Sequence, residues 1–158
     1  MSRLHLFAAA AAAILATAAA AHEYALGPLA ISHPYSIETP RAAKTGAGYL
    51  SITNNGDAPD RLLSIRTAFP RTEIHAIEGG ADGVTRMRPL EALDIPPGAT
   101  VTLAPQGLHV MFMGLSEPLG AGTSIPATLV FERGGEIAIE FKVEPRGSAS
   151  DPMQGMTH

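Results

Sequence analysis

The feature that most constrains this chain is the spacing of its breakers. Glycine and proline number 16 and 13, and they interrupt short apolar stretches at intervals too small for helices of ordinary length. Glycine has no side chain to favour a helix, and proline removes a backbone donor, so the segments between them are left to pair as strands. This spacing predicts an all-β sandwich or barrel. Candidate strands are Leu29 to His33, Gly48 to Asn54, Arg61 to Thr67, Thr72 to Ile77, Val84 to Leu90, Thr100 to Leu103, Leu108 to Met113, Ile125 to Phe131 and Glu136 to Val143. Asn54-Asn55-Gly56-Asp57 supplies turn residues that tolerate positive φ, and Gly134-Gly135 is expected to join the last two strands as a hairpin. Pro96-Pro97-Gly98 separates the segment at Leu93 from the strand at Val101, since tandem prolines give a ladder no donors. A short helical turn near Pro70 or Glu117 is compatible with the pattern.

The first 21 residues read differently. Arg3 precedes an apolar, alanine-rich run from Leu6, and Ala19-Ala20-Ala21 stands before His22. That is the layout of a cleaved secretory signal, with an apolar run too short for the ~18–20 residues of a bilayer span. The expected division is therefore a signal peptide over 1–21, one domain over 22–146 and a disordered Met/His-containing tail over 147–158. The tail is rich in Ser, Asp, Gly and Gln and cannot repay the entropy of ordering. The formal net charge is −4, and the signal holds Arg3 and no acid, so the exported part is slightly more acidic still. Neither nucleic acid nor anionic lipid suits such a surface, and no stable membrane insertion is expected after cleavage. The chain has no cysteine, hence no disulfide, thiolate ligand or thiol nucleophile.

Beyond the signal, His75, Met87, His109 and Met111 fall in an order that suits a metal. His109 and Met111 lie two apart on one predicted strand and share a face. His75 and Met87 flank the turn at Gly79-Gly80 and can approach as a hairpin pair. Thioether sulfur is soft and neutral and favours Cu(I), whereas zinc would call for cysteine or carboxylate beside histidine. Two imidazoles and two thioethers leave the ion's charge uncompensated, which suits transfer from a site near the surface better than storage. Each residue alone has a plainer reading: methionine usually fills cores, and a lone histidine is usually a satisfied half-buried side chain. Leu108, Val110 and Phe112 alternate with the candidate ligands and are expected in the core. Met113 shares the His109 face one strand step beyond Met111 and is read as packing, as is His33, which has no visible partner.

Read in full, the pattern is His75-Ala76, ten residues, Met87, twenty-one residues, His109-Val110-Met111. It resembles, at every spacing, the H(M)x10Mx21HxM signature of the PCuAC family of periplasmic copper chaperones. Further stretches are similar to the family: Gly46-Ala-Gly-Tyr-Leu-Ser-Ile-Thr-Asn-Asn55, Met87-Arg-Pro-Leu90, Ile95-Pro-Pro-Gly98 and Met113-Gly-Leu115. The resemblance spans roughly residues 22 to 145. It implies a cupredoxin-like β-sandwich, Cu(I) held by His75, Met87, His109 and Met111, and delivery towards the copper centre of cytochrome oxidase. The one departure is Ala76, where many members place methionine; as the neighbour of His75 on a strand it should face away from the metal.

Two weaker features remain. After cleavage, His22 would present a free amine and an imidazole, a nitrogen pair suited to Cu(II). In the tail, Met153, Met156 and His158 have nothing apolar to pack against and are candidates to capture copper, including Cu(II). The sequence shows no Gly-x-Ser-x-Gly elbow, phosphate-binding glycine loop, HExxH or paired carboxylates, and the expectation is that it is not an enzyme. Blue-copper electron transfer needs a cysteine the chain lacks. The resulting expectation is a monomeric periplasmic chaperone with a surface-exposed Cu(I) site, passing its ion to an oxidase copper subunit or a thiol-bearing assembly factor. The alternatives are periplasmic copper storage or detoxification, with the tail adding capacity, and a metal-free β-sandwich interaction module.

Overall fold

The computed structural model describes residues 23–148. The expected signal peptide, His22 and the tail ligands Met153, Met156 and His158 lie outside them. Eleven strands follow in order: β1 (Glu23–Leu26), β2 (Leu29–Ile37), β3 (Thr45–Asn54), β4 (Asp60–Thr67), β5 (Arg71–Gly79), β6 (Thr85–Leu90), β7 (Leu93–Ile95), β8 (Thr100–Leu103), β9 (His109–Met113), β10 (Ser124–Phe131) and β11 (Gly135–Glu144). The described residues contain no helix, so the helical turn entertained near Pro70 or Glu117 is replaced by bends. No helix among them is long and apolar enough to cross a membrane.

The strands hydrogen-bond in the order β6-β5-β9-β3-β2-β11-β10-β4-β7, with β1 added to β2 and β8 to β3. The sheet folds over itself into a sandwich with β2 at the corner. This strand pairs antiparallel with β3 from Leu29 to Ser36, with a register shift between Ser32 and Tyr35, and its last residues Tyr35, Ser36 and Ile37 also pair in parallel with β11. His33 sits within that shift at φ 48°, a left-handed conformation that marks a bulge and re-aims the strand. The strand therefore continues through His33-Pro34, where the sequence pattern places its end.

Alternation fills the core. Leu50 and Ile52 of β3, Ile74 of β5 and Val110 and Phe112 of β9 point inward from one layer. Leu62, Ile65, Leu129, Ile139 and Phe141 meet them from the other. The layers lock where Phe112 meets Phe141 edge-on, ring centres 5.4 Å apart, a geometry favoured by the ring quadrupoles. Leu108 is partly buried against this core.

The turns depart from expectation in one respect. No residue from 54 to 57 adopts positive φ. The turn is instead fixed by the side chain of Asn54, which is 1% exposed. Its Oδ1 accepts from the Gly56 amide at 2.9 Å, and its Nδ2 donates to the Ala58 and Ile95 carbonyls at 2.8 and 3.1 Å. The Gly134-Gly135 hairpin forms, with Gly135 at φ 88°. Buried Asp60 pins its tip by accepting from the amides of Arg133 (2.9 Å) and Gly134 (2.8 Å).

Candidate metal centre

Three adjacent strands, β6, β5 and β9, carry the four residues singled out by the sequence. β5 and β9 pair antiparallel with His75 opposite His109 and Glu73 opposite Met111; β5 and β6 pair with Ile77 opposite Met87 and His75 opposite Pro89. Directly opposed residues and residues two apart project from one face of a sheet. His75, Met87, His109 and Met111 therefore share one face. It is the outer face, because the intervening Ile74, Val110 and Phe112 are buried inside. Met87 and Met111 each stand one diagonal step from His75, a Cα separation of ~7–8 Å that long side chains cross. Ala76, paired with Arg88, belongs to the opposite face.

The two imidazole rings have centres 5.8 Å apart. A metal ~2 Å from a ring nitrogen lies ~3 Å from that ring's centre, so one ion fits between them. The hydrogen bonds fix which nitrogens are bare. His109 Nδ1 lies 3.0 Å from the Gly107 carbonyl; a carbonyl only accepts, so Nδ1 carries the proton and the lone pair is on Nε2. His75 Nε2 lies 2.8 Å from Glu73 Oε2; a carboxylate likewise only accepts, which leaves the lone pair of His75 on Nδ1. That atom is buried and has no hydrogen-bond partner. A buried acceptor left unmatched costs ~1–3 kcal/mol, and a cation is one partner that would remove the cost.

Exposure is graded across the site. His109 is buried at 5%, His75 and Met111 are half-buried, and Met87 is 58% exposed. The expected surface exposure is uneven: one end is closed where His109 lies on β9 between β5 and β3, and the other is open because β6 is an edge strand. Beside Met111 a shallow groove of about 320 Å³ runs towards Ala47, Tyr49 and Arg146.

Sequence reasoning missed Glu73. Its carboxylate accepts a hydrogen bond from His75 Nε2 at 2.8 Å and another from Arg71 Nε at 2.7 Å. The hydrogen bond from His75 is the main reason its carboxyl is held below the ordinary carboxylate range, with partial burial opposing and Arg71 adding to the lowering. The available signal was the alternate spacing of Arg71, Glu73 and His75. Met113 lies opposite Arg71, at the far end from the histidines. His33, without a visible partner in the sequence, meets Glu144 Oε1 at 3.2 Å and stacks on Tyr35. Among the described residues no group of three or more histidine and acidic side chains is placed to hold a metal ion.

Residues 29–143 match the family described as putative lipoprotein LpqE-like. A putative lipoprotein of Leifsonia xyli subsp. xyli (strain CTCB07), Lxx21020, is 28% identical over 157 residues, covering 89% of this chain and 95% of the relative. Among solved structures, the copper-bound PCuAC domain from PmoF2 is similar at 33% identity with a TM-score of 0.67, over 78% of this chain and 98% of that one. The Cu(I) form of DR1885 from Deinococcus radiodurans is similar at 27% identity with a TM-score of 0.57, over 80% of this chain and 83% of that one.

Proposed function

Since the chain belongs to the LpqE-like family and is a PCuAC domain, we propose that it is a copper chaperone that carries one Cu(I) between His75, Met87, His109 and Met111. The observation that carries the reading is that His75 Nδ1 and His109 Nε2 are the bare nitrogens of two imidazoles whose centres lie 5.8 Å apart, on the sheet face that also carries the two methionines. Copper is the cargo, and the donor set suits it: thioethers are soft, and imidazoles accept a range of transition metals. The copper-bound and Cu(I)-bound relatives support the choice of ion.

The graded exposure gives transfer a direction. An incoming donor meets Met87 first and His109 last, so the ion leaves by stepwise substitution from the open β6 edge. Thiolates displace thioethers readily because they add charge to softness. A recipient with cysteine ligands, such as an oxidase copper subunit or a thiol-bearing assembly factor, matches that chemistry. No covalent step on a substrate is required, and the role is that of a carrier rather than an enzyme. The site of action is outside the cytoplasm, consistent with the lipoprotein-like relatives and with the secretory character of residues 1–21. The 158 residues hold no cysteine, so no thiol is present among them to bear a lipid chain.

Anaerobic titration with Cu(I) against a competing chelator tests the reading. One equivalent per chain is expected, with affinity strongly reduced in Met111→Leu. A metal-free interaction module predicts no stoichiometric uptake, and storage predicts more than one ion per chain.

A further inference from the structure

On the face of β5 that carries His75, alternate residues read Arg71, Glu73 and His75, and they stand opposite Met113, Met111 and His109 of β9. The three side chains form a relay. Arg71 Nε donates to Glu73 Oε1 at 2.7 Å, and His75 Nε2 donates to Glu73 Oε2 at 2.8 Å. Side-chain exposure falls along it from 65% at Arg71 through 27% at Glu73 to 13% at His75. The relay ends at the buried, unpartnered Nδ1 of His75.

We propose that Glu73 is the positioning residue of the copper site: by accepting a hydrogen bond from His75 Nε2 it fixes the tautomer that leaves Nδ1 bare for the ion, and its charge offsets that of Cu(I). This deepens the copper reading above and rests on it.

Three consequences of the geometry support the role. A neutral imidazole has one proton and one lone pair, so an acceptor-only group at Nε2 decides which nitrogen is the donor. A carboxylate on the remote nitrogen also orients the ring and raises its basicity, and losing such a partner typically costs ~10–100-fold in metal affinity. Finally, two imidazoles and two thioethers supply no negative charge, whereas Glu73 stands directly across from Met111. Arg71 holds the carboxylate's second oxygen, which keeps Glu73 turned along the strand towards His75. A purely structural Arg71–Glu73–His75 contact predicts something different, because partly exposed ion pairs contribute little to stability.

The test uses the full exported chain with Glu73→Ala, Glu73→Gln and wild type. Nitrogen-15 correlation spectra of the metal-free protein report the His75 tautomer directly, with His109, held by the Gly107 carbonyl, as an internal reference. Wild type is expected to carry the His75 proton on Nε2, and Glu73→Ala to lose that preference while His109 is unchanged. Glu73→Gln keeps an acceptor oxygen without the charge and separates tautomer from electrostatics. In competition titrations Glu73→Ala is expected to bind Cu(I) ~10–100-fold more weakly, with Glu73→Gln between it and wild type and with urea midpoints little changed. A His75 proton on Nδ1 in wild type, or Cu(I) affinity of Glu73→Ala within about threefold of wild type, overturns the proposal. If wild type itself takes up no Cu(I), the chaperone reading fails and this role falls with it; if only the variant comparison fails, the chaperone reading stands.

Discussion

Replacing Gly48 with alanine sets two effects of opposite sign against each other. Gly48 lies on the inner face of β3 opposite Val110, and its φ is not positive, so alanine can adopt its backbone. Reduced freedom of the unfolded chain would then stabilise the variant by ~0.4–1 kcal/mol. The new Cβ, however, would lie 2.8 Å from Phe112 Cζ, 3.0 Å from Phe112 Cε2 and 3.1 Å from Phe141 Cε1. Carbon atoms prefer ~3.5–4.0 Å, so the rings must retreat by roughly 0.5–1 Å. Both phenylalanines are 0% exposed, and interiors packed at crystal density yield only at a cost of ~1–3 kcal/mol. Sterics should win, for a net loss of about 1–2 kcal/mol and a fall in Tm of roughly 3–8 °C. Urea unfolding of the metal-free protein measures it, with the midpoint lowered and the slope unchanged. Adding Phe112→Leu should recover part of the loss, since the two positions touch and couple. A Gly48→Ala variant as stable as wild type, or more so, would refute the argument that the Phe112–Phe141 contact is what demands glycine here.

Asn54→Ala removes three hydrogen bonds from a buried amide; at ~1 kcal/mol each calorimetry should show a loss of about 3 kcal/mol, and a loss below about 1 would contradict the clamp described for this turn. Met87→Leu should leave stability within ~0.5 kcal/mol of wild type, because the side chain is 58% exposed, while Cu(I) affinity in a chelator competition drops by at least the ~10-fold that remote losses already cause. Tyr35 is pushed up to about 12 from 10.0, first by burial and then by Tyr49 and Glu144. Its folded form keeps the proton longer than the unfolded chain does. Its contribution to stability is therefore complete below pH 10 and lost as pH rises towards 12. A phenolate absorbance titration should show a tyrosine ionising near pH 12, and that step should vanish in Tyr35→Phe.

Much of this architecture is legible from alternation and breakers. Val110 and Phe112 read as inward because they alternate with polar or functional neighbours, and they are buried. Gly134-Gly135 reads as a hairpin because only glycine enters the required turn without strain. Short elements escape such reasoning. Leu93–Ile95 is a three-residue strand with too few alternations to form a pattern, and Glu23–Leu26 follows directly on the expected cleavage region. The passage of β2 through His33-Pro34 was hidden because proline normally ends a strand, and only the bulge at His33 lets this one continue. In the candidate centre, the pairing of His109 with Met111 follows from period two alone. Placing His75 opposite His109 depends on the β5–β9 register, and placing Met87 one step beyond depends on the β5–β6 register, neither of which local sequence contains. Glu73 was overlooked for a chemical reason: soft-ion sites are searched for sulfur and imidazole, and a carboxylate acting through the far nitrogen of a histidine matches no ligand pattern.

X-ray absorption at the copper edge of the Cu(I)-loaded protein tests the proposed two-histidine, two-methionine ligation, because it counts sulfur and nitrogen neighbours without reference to any fold. Ligation by His75, Met87, His109 and Met111 predicts a shell of two sulfur and two nitrogen donors at roughly 2.0–2.4 Å, by analogy with tabulated metal–ligand lengths, with one sulfur lost in Met111→Leu. A shell of nitrogen and oxygen alone, or one unchanged by that substitution, would contradict it.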